Sequence, residues 1–156
     1  MEGHVKKTVG ILAAALFGAA LSLAGVAPAS AATPSLRFHG AQYDSPGTDN
    51  RTNASLNAEW VSLVNTGAKA VNLNGYTIRD KAGHVYKFGS VTIAAKGGRI
   101  WLHTGSGKND AKNRYWGSKA YIWNNNGDTA YLRNAAGKQV DSCAWAYKKG
   151  RSWVGC

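Results

Sequence analysis

The chain has 156 residues, 19 Lys and Arg against 8 Asp and Glu, two cysteines and a formal net charge of +11. That length fits one domain, and two cysteines without matched histidine spacing make a poor zinc site. The charge bears on partners rather than fold: it favours nucleic acid, anionic cell-wall polymers or an acidic membrane surface, with plain solubility as the competing reading.

The first segment reads as a targeting signal. Lys6 and Lys7 precede an apolar run from Val9 to Ala27, Pro28 follows, and Ala29-Ser30-Ala31 supplies the small residues that signal peptidase requires. A cleavable signal peptide over residues 1–31 is expected, cut after Ala31 or, as the near alternative, Ala32. The competing reading is a retained anchor, because the run approaches the roughly 18 residues of a spanning helix. Gly18 and Gly25 interrupt it and no basic cluster follows, and no Cys near the cut offers a lipid anchor. The mature chain, 32–156, is then a single secreted domain without a membrane span, free in the medium or associated with the cell wall. Without Lys6, Lys7 and Glu2 it keeps 17 basic and 7 acidic residues, a net +10.

From Leu36 onward, short alternating segments are punctuated by turn residues, the pattern of a sandwich or barrel. Leu36 to His39 begins it, and a polar loop runs from Tyr43 to Asn57. Glu59 to Val64 is a strand with Val61 and Leu63 on one face, although Trp60 and Val61 can each be read inward. Val71 to Leu73 leads to Gly75, which marks a bulge or kink before Tyr76 and Ile78. Asp80-Lys81-Ala82-Gly83 is a hairpin turn, followed by Tyr86 and Phe88, then Val91 and Ile93, then Arg99 to His103. A long basic loop from Gly105 to about Ser118 precedes a strand at Tyr121 to Trp123. Asn124 to Asp128 is a turn from which Thr129 to Leu132 pairs back, and Asn134 to Gly137 turns into Val140. No window holds helical periodicity over three turns.

Cys143 and Cys156 form an isolated pair in an exported chain, which points to a disulfide. Closing that short loop stabilises by on the order of 3 kcal/mol.

Several of these segments, taken in order, resemble the lamin-tail domain. They are Tyr43-Asp44-Ser45-Pro46-Gly47-Thr48-Asp49, Leu56 to Val61, Leu73 to Asp80, His103 to Gly107 and Trp123 to Leu132. The resemblance spans about Leu36 to Cys156 and is to small exported bacterial members, typical of actinomycetes. It implies an all-β, immunoglobulin-like β-sandwich, no enzyme activity and no cofactor, and a role in interaction or tethering. In nuclear lamins the domain contacts DNA and proteins; in bacteria it often accompanies secreted hydrolases, including nucleases. Neither a rod nor a hydrolase accompanies it in these 156 residues.

The constellations that could carry chemistry are few. No Gly-x-Ser-x-Gly elbow occurs, and His39, His84 and His103 fall singly on strands or in a turn. Asp44, Asp49 and Glu59 lie near one another in sequence. Asp44 and Asp49 make a weak calcium candidate against a reading as turn carboxylates, and Glu59, opening a strand, is expected to take a backbone or cationic partner. The Asn124–Asp128 tip is turn chemistry in one reading and a carbohydrate-contacting loop in the other. The leading candidates are cations interleaved with aromatics: Lys108, Lys112, Arg114, Tyr115, Trp116 and Lys119 in the long loop, and Lys148, Lys149, Arg151 and Trp153 in the cysteine-closed tail. Cations release counterions from phosphates, and aromatic faces stack on bases or sugars. The alternative is that Tyr115 and Trp116 pack on the sandwich edge and the cations are merely solvated.

The expectation is therefore a secreted, monomeric, non-enzymatic module with no catalytic residues and no resident metal, binding an anionic polymer such as nucleic acid or a cell-wall polymer. The rival is a surface protein acting through protein contact; a small hydrolase or nuclease is remote.

Overall fold

The computed structural model describes Gly3 and residues 32–156. The expected signal peptide lies outside the described residues. Among the described residues no helix is long and apolar enough to cross a membrane.

The strands, in chain order, are β1 (Leu36–Gln42), β2 (Trp60–Asn65), β3 (Val71–Asn72), β4 (Thr77–Arg79), β5 (Val85–Lys87) and β6 (Thr92–Ile93). There follow β7 (Gly98–His103), β8 (Asn113–Tyr115), β9 (Gly127–Arg133), β10 (Gln139–Ala146) and β11 (Trp153–Gly155). A five-stranded sheet runs β11-β1-β2-β7-β8, a four-stranded sheet runs β10-β9-β4-β5, and β3 pairs with β6. The fold is the all-β, immunoglobulin-like sandwich expected.

The core joins both sheets. Phe38, Val61, Leu63, Ile100 and Leu102 come from the first, and Ile78, Ala130, Leu132, Cys143 and Trp145 from the second. Each fully buried Leu, Ile or Phe stabilises by about 1.5–3 kcal/mol relative to exposure. β2, central among five strands, is buried at every position from Val61 to Asn65, so its period-2 signal is blurred. Val61 is fully buried and Trp60 only half-buried, which settles the inward face.

Three devices hold the layers in register. The Phe38 amide donates to Asp141 Oδ2 at 2.7 Å where the β1–β2 register shifts, linking the two sheets. Cys143 in β10 is bonded to Cys156 just after β11, with Cα atoms 5.8 Å apart, so the disulfide ties one sheet to the edge of the other. Gly75, at φ +80°, makes the expected kink, carrying the chain from β3 to β4 in a different sheet.

The turns at Asp80–Gly83 and Asn134–Gly137 fall where expected. Asp80, fully buried, accepts from the amides of Gly83 and His84 and from His84 Nδ1. Elsewhere local patterning misleads. The polar loop before β2 contains a short helix, α1 (Asn53–Ala58), capped by Thr52, whose side chain accepts from Ser55 N. The long basic loop contains β8, which pairs parallel to β7. Tyr121 to Trp123 is not a strand, and β9 pairs with β10 and β4 rather than turning back on it. The Ile122 and Trp123 amides go instead to the Glu59 carboxylate, which replaces a ladder partner.

Candidate functional site

The two basic segments singled out from sequence do not meet. One leads into β8 and the other into β11, at opposite edges of the five-stranded sheet.

At the β8 edge, Lys108, Lys112 and Lys119 are exposed, while Arg114 donates to the carbonyls of Asp110 and Asn113. Asp110 accepts from the Asn113 side chain and from the amides of Lys112 and Asn113. The Asn113 side-chain bond, followed by those amide bonds, holds the Asp110 carboxyl below the usual carboxylate range. The aromatics pack inward. Tyr115 stacks on His103 at 5.1 Å, and Trp116 lies against Tyr86 and Trp123 at 5.7 and 6.0 Å. Gly107 is required here, because a Cβ would fall 2.5 Å from the Tyr115 ring. This edge therefore offers solvated cations without an open aromatic face.

The β11 edge is built differently. The connection from β10 to β11 is anchored through its backbone: Tyr43 Oη donates to Arg151 O at 2.9 Å, and the Tyr43 and Asp44 amides donate to Ser152 O. Gly150, at φ +74°, permits the turn that the Arg151 amide closes on Lys148 O. With its backbone held, the segment presents Lys148, Lys149 and Arg151 to solvent together with two exposed rings, Tyr147 (66% exposed) and Trp153 (55%). Two adjoining recesses of about 430 and 510 Å³ follow this segment and share Lys148, Gly150, Arg151 and Ser152. Asp44 lines the first of them, with Oδ1 engaged by Asn125 Nδ2 at 3.0 Å.

A third recess, about 240 Å³, adjoins the first through Ser45 and Asn125 and is lined also by Asp49, Glu59, Tyr121 and Trp123. Glu59, 1% exposed, precedes β2 and places Oε1 where Thr104 Oγ1 (2.6 Å), the Ile122 amide (2.9 Å) and the Trp123 amide (3.4 Å) donate to it. Burial pushes its pKa up to about 7 against these three hydrogen bonds, with a smaller upward push from Asp49. The expectation of a backbone partner for Glu59 holds; the recess it lines left no local trace in the sequence.

The weak calcium candidate gains no support. Asp44 and Asp49 line different recesses, and among the described residues no group of three His, Cys, Asp or Glu is placed to hold a metal ion. The Asn124–Asp128 tip is largely turn chemistry, since Asp128, buried, accepts from the amides of Lys81, Asn124 and Thr129. Of the histidines, His39 is held below its ordinary pKa by burial and then by Arg99 and Arg37, and His103 is bonded to Asn57 O and Asn113 Oδ1.

No curated protein matches the chain. The family model described as Lamin Tail Domain matches residues 29–146, so the match ends with β10 and leaves Lys148, Lys149, Arg151, Trp153 and Cys156 beyond it. With that match covering well over half of its length, and with the sandwich described above, the chain belongs to the lamin tail domain family.

Proposed function

We propose that the protein is exported, cleaved after Ala31, and works as a non-enzymatic module that binds a phosphate-bearing polymer along the β11 edge. The observation carrying this reading is the combination at residues 147–153: an anchored backbone, three solvent-facing cations and two exposed rings beside continuous recesses. Fixing the backbone in advance lowers the ordering cost of binding, the cations release counterions, and Trp153 and Tyr147 offer faces for stacking. The β8 edge has the charge without the rings and ranks second.

The test is retention of the protein on DNA and on purified cell wall across a salt series. On duplex DNA each neutralised phosphate contributes roughly −0.9 to the slope of log K against log salt, so reversing Lys148, Lys149 and Arg151 to Glu should flatten it by about 3. Reversing Lys108, Lys112 and Arg114 should have the smaller effect. Salt-independent retention, or no loss in the first triple variant, would refute the proposal, and the matrix that retains the protein identifies the polymer. A second reading, protein contact through Tyr147 and Trp153, rests on the exposure of those rings and is favoured if capture survives high salt.

A further inference from the structure

The first recess at the β11 edge, about 430 Å³, is lined by charges of both signs: Lys148 and Arg151 from the segment before β11, and Asp44 from the chain after β1. The Asp44 amide donates to Ser152 O at 3.1 Å, so the carboxylate is held beside the basic segment. Burial raises the Tyr43 pKa, while Arg151 pulls it down and Asp44 pushes it up, so both charges act on one hydroxyl. Even so, they do not neutralise one another, since the one ion pair among the described residues is His84–Asp80. Asp44 Oδ1 accepts from Asn125 Nδ2, whereas Oδ2 has no partner among the described residues and keeps contact with solvent. Tyr147, 66% exposed, lines the same recess.

This mixture limits the ligand. A uniform anion set against Lys148 and Arg151 brings like charge up to Asp44. A cation alone meets two repelling side chains, and an apolar group pairs with none of the three. A phosphate ester bearing an ammonium a few bonds away suits them all. Its phosphate oxygens accept from Lys148 and Arg151, and its ammonium lies by the Asp44 carboxylate. The Tyr147 ring offers that ammonium a cation–π face.

We propose that the first recess is a site for an amino-alcohol phosphate, a phosphate ester carrying an ammonium on a short chain, as in phosphocholine. This rests on the reading that the β11 edge binds phosphate groups and narrows it, because Asp44 selects zwitterionic phosphate over phosphate alone.

The test is a chemical-shift titration of the ¹⁵N-labelled protein, following the Gly150 amide with phosphocholine, inorganic phosphate and choline chloride in turn. A second arm measures capture on phosphatidylcholine vesicles, which tells a membrane headgroup from a group carried on a polymer. Phosphocholine should bind more tightly than either fragment. Asp44→Asn keeps the acceptor for Asn125 and removes the charge. It should weaken phosphocholine binding roughly two- to fivefold, the range of an exposed charge pair, and should tighten inorganic phosphate. Tyr147→Ala, on an exposed ring, should weaken phosphocholine by a similar roughly two- to fivefold and leave phosphate unchanged. The proposal is overturned if phosphate binds as tightly as phosphocholine, if Asp44→Asn moves both ligands in the same direction, or if no probe saturates. Those results leave the β11-edge reading standing, since that reading fails only in the salt series, when reversal of Lys148, Lys149 and Arg151 costs no retention.

Discussion

Replacing Glu59 by glutamine should change how stability depends on pH. In the folded protein burial raises the Glu59 pKa from 4.5 to about 7. A carboxyl raised on folding is fully compatible with the native state while protonated, below its unfolded pKa. As pH rises, the unfolded chain loses that proton first, and native stability falls until the folded group also ionises. The pKa difference between 4.5 and about 7 converts to about 3 kcal/mol lost from about pH 4 to about pH 8. The glutamine side chain of Glu59→Gln cannot ionise, and its carbonyl can still accept from Thr104, Ile122 and Trp123, so the variant's profile should lack that decline. The assay is urea unfolding at both pH values for the two proteins, comparing the change in free energy within each. Contributions from the histidines and the other carboxylates occur in both proteins and cancel in the comparison. Parallel profiles within about 1 kcal/mol would refute the argument that burial dominates at Glu59, and a steeper loss in the variant would reverse its sign.

Two further outcomes follow from the packing at the β11 edge. Replacing Cys143 and Cys156 together by Ser should lower the unfolding free energy by on the order of 3 kcal/mol. It should also speed amide exchange in β11, which is paired to β1 at three residues only; unchanged exchange there would show that the strand holds without the disulfide. Gly40 lies in β1 opposite Gly155 of β11, where a Cβ would sit 2.8 Å from the Val154 carbonyl oxygen. Gly40→Ala should displace β11 and cost about 1–3 kcal/mol in denaturant unfolding, with Gly67→Ala, which meets mainly side-chain atoms, costing less.

What the amino-acid sequence determined by itself is the local part of this protein. Alternation identified β1, β2, β7 and β9 because a strand's two faces repeat every second residue, and Asp80–Gly83 and Asn134–Gly137 declared their turns through side chains that bond their own backbone. The isolated cysteine pair announced the bond now seen, and the ordered segments pointed to the lamin tail domain. Everything that depended on a distant partner was left to the tertiary structure. Tyr121 to Trp123 has the composition of a strand, yet two of its amides bond a carboxylate more than 60 positions earlier. Tyr115 and Trp116, interleaved with lysines, look available for stacking until His103, Tyr86 and Trp123 are placed against them. The two basic segments, alike in composition, fall at opposite sheet edges because strand order, which a single chain's periodicity does not encode, separates β8 from β11. The recess at Glu59 exists only where three remote segments converge, and only burial, a property of the assembled fold, lifts the pKa of an ordinary glutamate to about 7.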